Sequence, residues 1–433
     1  MSLDFSSTMT SVSRAVAAQS LLLNSTSIAL TAWRKRLANR RAKRRQRKLT
    51  HGGGGSSSVE SSSSTSAAAV AAVFSPTTSH LLVLGIISNP RTPHTREWIR
   101  STYLSSVPAN SESDPSGALI RFVMGQRGLN KDDRRKLHLE QAAHHDLAFI
   151  DASDFGERGG IFSCIDKLFA WFPHAVHAYP GAIFYAKADD DSYVDVRRLL
   201  GLLSPLRSFR NVYLGYVQYD SFLADEWKHC GWAAGPIAAA HAHAHGCPRD
   251  AGPAYGPFPF VVGALTVMGA DLASWMRSSA ELATLVRDGR ASQSGPKHWD
   301  CGYSDVTLGY AFARSNRSVS LVSVRDAMRD ATYGAMNAHR FVVSHHLRKR
   351  PQFEKAHAEA LAQAKWTTRA PACSAWAETT RVGLPWSEEA TPEAKRTAKQ
   401  KRRDEPAPAE FRRAMRSFPG CQKWQLCEVG PED

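Results

Sequence analysis

The sequence predicts an α/β protein whose sheet is built through crossover connections. Short continuous apolar runs recur at residues 80–88 (HLLVLGIIS), 119–124 (LIRFVM), 147–150 and 182–186 (AIFYA), as strands buried on both faces do. Longer segments with helical spacing separate them, and this alternation is the pattern of βαβ units. A third observation bears on function. The fourth run leads directly into Asp189-Asp190-Asp191, and ligands of such sheets sit at the carboxyl ends of strands.

Each element has its own reason. The first run stops at Asn89-Pro90, and residues 95–104 (TREWIRSTYL) read as a helix capped by Thr95. The second run ends at Gly125. Residues 131–145 form a charged helix, followed by the third run. Ile161, Cys164, Ile165, Leu168, Phe169 and Phe172 keep the i, i+3, i+4, i+7 spacing of a helix with one buried face, which Pro173 is expected to stop. Residues 351–365 read as a further helix.

With 433 residues, 43% hydrophobic and 22% charged, most of the chain is globular by composition. The net charge of +15 suggests a polyanion partner, but its distribution does not. Residues 34–48 (RKRLANRRAKRRQRK) hold ten Lys and Arg and no acid, leaving about +5 elsewhere. A body so nearly balanced has no need of nucleic acid. Residues 1–33 are Ser- and Ala-rich without a clean apolar run of about 20 residues, and read as a leader or degenerate signal-anchor. Residues 34–75 comprise the basic tract and a Gly/Ser-rich linker, 76–350 the folded domain, and 351–433 a C-terminal extension whose 388–413 segment reads as mobile surface. Seven cysteines without a C-x-x-C are neither a disulfide scaffold nor a zinc ribbon. Cys164 reads as core; in an oxidising compartment some of the other six would pair, and Cys421 with Cys427 would close a small terminal loop.

Three consecutive carboxylates repel one another unless something positive shares their charge. An EF-hand is excluded, because a loop starting at Asp189 would put Val194 where glycine is needed and Leu200 where the bidentate glutamate belongs. Besides a solvated acidic turn, there remains a hard divalent cation completed by phosphate oxygens. Here the motifs become specific. AKADDDSYV at 186–194 resembles the strand-plus-DxD signature of the family 31 glycosyltransferases, the β-1,3-galactosyltransferase-like group. REWIRSTY at 96–103 resembles that family's R-x-x-I-R-x-T-W, and FVMG at 122–125 its F-L-L-G. FPFVVGALTVMGADLA at 258–273 and YSDVTLG at 303–309 resemble two later motifs, the second an E-D-V-x-x-G. Five matches in order cover residues 80–350. Two departures stand out: Ser304 replaces the glutamate of the Glu-Asp pair, and Leu265 replaces a glycine beside the expected acceptor cleft.

The resemblance implies a GT-A fold, a single Rossmann-like mixed sheet flanked by helices. It implies an inverting enzyme that moves a hexose from a UDP-sugar, UDP-galactose first and UDP-N-acetylglucosamine second, to a glycan or glycoprotein hydroxyl in β-1,3 linkage. It further implies Mn²⁺, with Mg²⁺ as the alternative, and a lumenal domain at the Golgi membrane. Asp305 is the expected base, Asp191 a direct metal ligand, Asp189 a ribose or metal-water contact, and Asp190 a neighbour in the same nucleotide site. His345 or His346 follows a late apolar strand where relatives carry a metal-binding His, and alternation along a strand sends only one of them inward. Arg96 and Arg100, four apart on one helical face, suit a nucleotide or its phosphates, with a salt-bridged helix face as the alternative reading. Lys187 adjoins the triplet and reads either as a nucleotide contact or as its neutralising charge. Trp227, Trp232 and Trp299 offer flat surfaces to a sugar. The His241-Ala-His243-Ala-His245 tract reads as a low-complexity loop, and Asn24 and Asn316 begin glycosylation sequons. Two other readings are an inactive sugar- or nucleotide-binding relative and, last, a nucleic-acid binder acting through residues 34–48.

Overall fold

Strand β1 (Leu82–Ile87) is buried along its whole length, because its apolar run leaves neither face suited to water. The computed structural model describes residues 80–107, 117–154, 164–223, 228–229, 255–292, 304–315, 317–324, 327–330, 340–363, 371–376, 413 and 418–429. The leader, basic tract and linker lie outside these residues. So do the histidine-rich tract, Trp227, Trp232, Trp299, Cys230, Cys247, Cys301 and both sequon asparagines. Among the described residues no helix is long and apolar enough to cross a membrane.

After β1 come α1 (Pro93–Ser101), β2 (Ala118–Arg127), α2 (Lys131–His144), β3 (Leu147–Ser153), α3 (Cys164–Ala178) and β4 (Phe184–Asp189). The expected alternation is present, with two local corrections. Helix α1 starts two residues before Thr95, with Pro93 in its first turn, where a missing N–H costs nothing. Helix α3 continues through Pro173. The proline forfeits one backbone hydrogen bond, but Trp171, Phe172 and Ala175 are fully buried around it, and packing outweighs local propensity.

The triplet is followed by β5 (Tyr193–Val194), α4 (Val196–Leu203), β6 (Val212–Leu223), β7 (Lys228–His229) and the long β8 (Tyr255–Gly269). Then come α5 (Ala270–Ser278), α6 (Ala280–Ser292), α7 (Ser304–Arg314), β9 (Ser320–Ser323), β10 (Met328–Asp330), β11 (Val343–His345) and α8 (Arg350–Ala362). Strands β12 (Ala372–Ala375) and β13 (Gln425–Glu428) complete the set. The main sheet has the order β12-β13-β9-β6-β8-β4-β1-β2-β3, with β7 on β6. Strands β4, β1, β2 and β3 are mutually parallel, whereas β8 runs antiparallel to both β4 and β6. This is the mixed, helix-flanked sheet of the expected GT-A class. Apolar clusters cover both faces, one beneath α3, α5 and α7, the other beneath α1, α4 and α8. A second sheet, β10-β11-β5, stands at the exit of β4.

The described strands of the C-terminal extension pair with this body. Strand β13 pairs in parallel with β9, and β12 pairs with β13. A disulfide joins Cys373 to Cys427, while Cys421 is a buried free thiol, so the Cys421–Cys427 loop does not form. The β12–β13 register sets Cys373 directly opposite Cys427, and Cys421 falls in the preceding turn.

Candidate active site

Antiparallel pairing of β5 with β11 aligns Val194 with Val343 and Tyr193 with Ser344, so the next residues of β11 run back alongside the triplet. The Leu347 N–H donates to the Asp191 carbonyl at 2.8 Å, closing that turn. His345 Nε2 thereby stands 3.3 Å from Asp191 Oδ1 and 3.9 Å from Asp189 Oδ2. Alternation would have sent His346 to the opposite side. Instead the strand ends at His345, and His346 adopts φ 59°, which stacks its ring on that of His345 with centroids 3.8 Å apart. Asp191, His345 and His346 each bring one donor atom within 4.8 Å of the others. A carboxylate and two imidazole nitrogens at that spacing fit a divalent cation.

The electrostatics agree. Burial opposes charging of His345, but the Asp191 and Asp330 carboxylates outweigh it and push its pKa up to about 10. Burial likewise works against ionised Asp191, yet His345 holds its pKa below the ordinary value. A cluster that retains a proton so firmly is a centre of negative potential, and a bound cation would displace that proton. Asp330, which the sequence reading missed, receives hydrogen bonds from His345 Nδ1 at 3.2 Å and His346 Nδ1 at 2.8 Å.

Asp189 accepts a 2.8 Å hydrogen bond from Lys187 Nζ. Lys187 is buried, and although burial lowers its pKa, Asp189 and Asp305 raise it above the ordinary value. The ammonium thus neutralises the triplet and faces Asp305 as well. Asp305 lies in the first turn of α7, accepting from the Gly263 N–H at 2.5 Å and from the Ser304 hydroxyl at 3.2 Å. Burial drives its pKa up, and Lys187 opposes the rise. Two glycines allow this arrangement. A Cβ at Gly263 would come within 2.8 Å of Asp305 Oδ1 and 2.9 Å of Lys187 Nζ, and one at Gly309 would lie 2.5 Å from Phe260 Cβ, prising α7 off β8. Ser304 therefore supplies Asp305 with a donor where the resemblance has a carboxylate. Leu265 is 1% exposed within an apolar cluster, so that departure is absorbed by the core and does not obstruct a cleft.

Asp190 points to β1, accepting from the Ser88 hydroxyl at 3.0 Å and the Asn89 N–H at 3.4 Å. Burial raises its pKa to about 6. Behind it lies a polar network that the sequence reading also missed. Lys167 Nζ donates to the Ser88 carbonyl at 2.8 Å and to Asp154, whose other oxygen takes the Gly125 N–H at 2.5 Å. Asp190 and Asp191 open onto a cleft of about 290 Å³ lined by Asn89, Trp98 and Arg348.

Arg96 and Arg100 take the salt-bridged geometry of the alternative reading. Arg96 is fully buried, with Nε and Nη2 on Glu140 at 2.7 and 2.5 Å and Nη1 on the Asn89 carbonyl at 2.6 Å. Arg100 is committed to Glu140 and Asp146. Guanidiniums so fully bonded support the fold and leave little capacity for phosphate. The larger recess between α1 and α2, about 960 Å³, is lined by these pairs and by none of Asp191, His345 or Asp305.

Residues 94–276 match the galactosyltransferase family model. The chain carries a galactosyltransferase-family domain. The match takes in the aspartate triplet and Gly263, and ends before Asp305 and the two histidines. Over 214 residues the chain is 27% identical to beta-1,3-galactosyltransferase 6 of Mus musculus, covering 48% of this chain and 56% of that protein. Over 157 residues it is 28% identical to a hydroxyproline O-galactosyltransferase of Arabidopsis thaliana, covering 35% and 44%. The chain spans about half the length of the curated relatives it matches. Among solved structures, the galactosyltransferase LgtC in complex with donor and acceptor sugar analogues aligns over 66% of this chain and 97% of that one. Its identity is 8% and its TM-score 0.31, a likeness too low to equate any pair of residues.

Proposed function

We propose that this chain is an inverting hexosyltransferase that moves galactose from UDP-galactose to an acceptor hydroxyl in β-1,3 linkage, with Asp305 as general base. UDP-N-acetylglucosamine ranks second as donor, because both relatives described above are named for galactosyl transfer. The observation that carries the reading is the convergence of two groups on the exit of β4: the Asp191–His345–His346 cluster, and Asp305 linked to Asp189 through Lys187.

Asp191, His345 and His346 would hold Mn²⁺, or Mg²⁺ in its place. Such an ion supplies charge neutralisation for a departing diphosphate. The acceptor oxygen forms its bond to C1 as the bond from C1 to the diphosphate oxygen breaks, and the electron pair of that bond leaves with UDP. The acceptor proton passes to Asp305. A carboxylate whose pKa is lifted by burial is a better base near neutral pH, and the Gly263 and Ser304 donors fix its direction. Asp190 and the Ser88–Lys167–Asp154 network hold the floor of the site rather than the reacting atoms. The Cys373–Cys427 disulfide supports an oxidising compartment, and with it a Golgi-lumenal domain on an N-terminal membrane anchor, glycosylating protein-linked glycans. A nucleotide-binding relative without turnover is the second reading, favoured by the fact that both Asp305 oxygens already accept hydrogen bonds.

The test is UDP release from UDP-galactose and UDP-N-acetylglucosamine by the full chain, with Mn²⁺ and with chelator, beside Asp191→Ala and Asp305→Asn. Metal-dependent release lost in both variants is expected. UDP binding without release by the wild-type chain would favour the second reading. Absence of both would end the first.

A further inference from the structure

We propose that Asp330 is a positioning residue that turns both His345 and His346 toward the cation site, so that two imidazoles stand beside Asp191 where the sequence reading allowed one. The inference rests on the metal reading above and deepens it. Parallel pairing of β10 with β11 places Asp330 opposite His345, and the carboxylate is 3% exposed. One of its oxygens, Oδ2, receives both Nδ1 hydrogen bonds, from His345 and from His346. Once a cation displaces the extra proton, a neutral imidazole that donates from Nδ1 keeps its lone pair on Nε2, so Asp330 selects the ligating tautomer of both rings at once.

Three further observations point the same way. His345 Nε2, the nitrogen that Asp330 does not engage, is the one that faces Asp191 Oδ1. His346 accepts a left-handed backbone, rare for a residue with a side chain, and in that conformation its ring lies on the same side as that of His345. The hydrogen bond from the Leu347 N–H to the Asp191 carbonyl then locks the turn against the triplet. The chemical consequence is a nitrogen-rich site. Oxygen donors alone suit Mg²⁺, whereas each imidazole shifts preference toward later divalent transition ions.

The experiment titrates the metal-free full chain with Mg²⁺, Mn²⁺ and Co²⁺, without nucleotide, and records the visible absorption of bound Co²⁺. The expected result is that Asp330→Asn weakens Co²⁺ binding by about 10- to 100-fold, the usual size of an outer-carboxylate effect, and alters the Co²⁺ spectrum. Mg²⁺ binding should change far less, which a general loss of structure would not reproduce. Asp330→Glu, which keeps a carboxylate, should restore most of the Co²⁺ affinity. His346→Ala, at a ring nearer the surface, should lower Co²⁺ affinity and change the spectrum on its own, so the proposal stays testable if Asp330→Asn does not fold. Wild-type affinity and spectrum in either Asp330→Asn or His346→Ala would overturn the two-imidazole inference and leave the metal reading standing. A wild-type chain that binds none of the three ions would overturn the metal reading itself.

Discussion

Replacing Lys167 with methionine is the most informative single perturbation of this fold. Methionine keeps the length and volume of the side chain and removes its charge. Lys167 and Asp154 are each 0% exposed, and Lys167 also satisfies the Ser88 carbonyl at 2.8 Å. The substitution leaves a buried carboxylate whose remaining partner is the Gly125 N–H, together with a carbonyl deprived of its donor. Removing one member of a buried pair costs roughly 3–5 kcal/mol. Part of this is recoverable, because burial already raises the Asp154 pKa and the uncompensated carboxyl can take up a proton. The expected loss is therefore about 3 kcal/mol at pH 7, the low end of that range. The sign with pH follows: the folded variant binds a proton that the unfolded chain does not, so its deficit widens as pH rises through the raised folded pKa of Asp154. Urea unfolding of the full chain measures this through the midpoint at constant slope. Adding Asp154→Asn should recover part of the loss, because the charge that lacked a partner is gone. A single-variant loss below about 1 kcal/mol, or a double variant equal to the sum of the singles, would refute the account of Lys167 as the obligatory partner of Asp154.

Glu140 is held below its ordinary pKa of 4.5: burial opposes this, but Arg96 and Arg100 prevail. Its contribution should be complete above that value and vanish as pH falls through the lower folded value, so Glu140→Gln should be less stable than wild type at pH 7, with the gap closing in thermal melts below pH 4. Gly263→Ala would press a methyl group between Asp305 and Lys187, and a forced displacement of about half an ångström there should cut transfer about tenfold or more while leaving UDP binding intact. Equal turnover would remove Asp305 from the reaction. The Tyr103 hydroxyl is fully buried and has no hydrogen-bond partner among the described residues, so Tyr103→Phe should raise stability by about 1 kcal/mol; a lower melting temperature would show that a partner had been overlooked.

What the sequence disclosed was whatever a local period or a long apolar run can encode. Strands β1 to β4 and helix α2 were legible because burial on both faces, or a charged helical face, leaves a mark within ten residues. Helix α3 was legible except at its end, because the proline rule is local while the burial of Trp171 and Phe172 is tertiary. The site divided in the same way. The triplet, Asp305 and the histidine pair were visible through motif resemblance. Asp330 was not, since its three-residue strand is too short to show a period and its role exists only through pairing with β11. Lys167 and Asp154 were hidden for a related reason: one lies off the apolar stripe read in α3, the other just past the end of β3, and only the fold joins them. Arg96 and Arg100 were read correctly as a pair on one face, but sequence spacing could not reveal Glu140 on the neighbouring helix.

The parallel seating of β13 on β9 has a consequence for how the molecule is made. Strand β9 already pairs with β6, and among the described residues its other side is closed by residues 425–428, which are synthesised roughly a hundred residues later. Until those residues emerge, Leu321 and Val322 lie on an open seam with unpaired amides and carbonyls, the kind of edge along which chains adhere to one another. A chain terminated before Gln425 would keep that seam permanently, so nonsense changes far from every reacting group should yield sticky, aggregating protein rather than a soluble protein lacking only its tail.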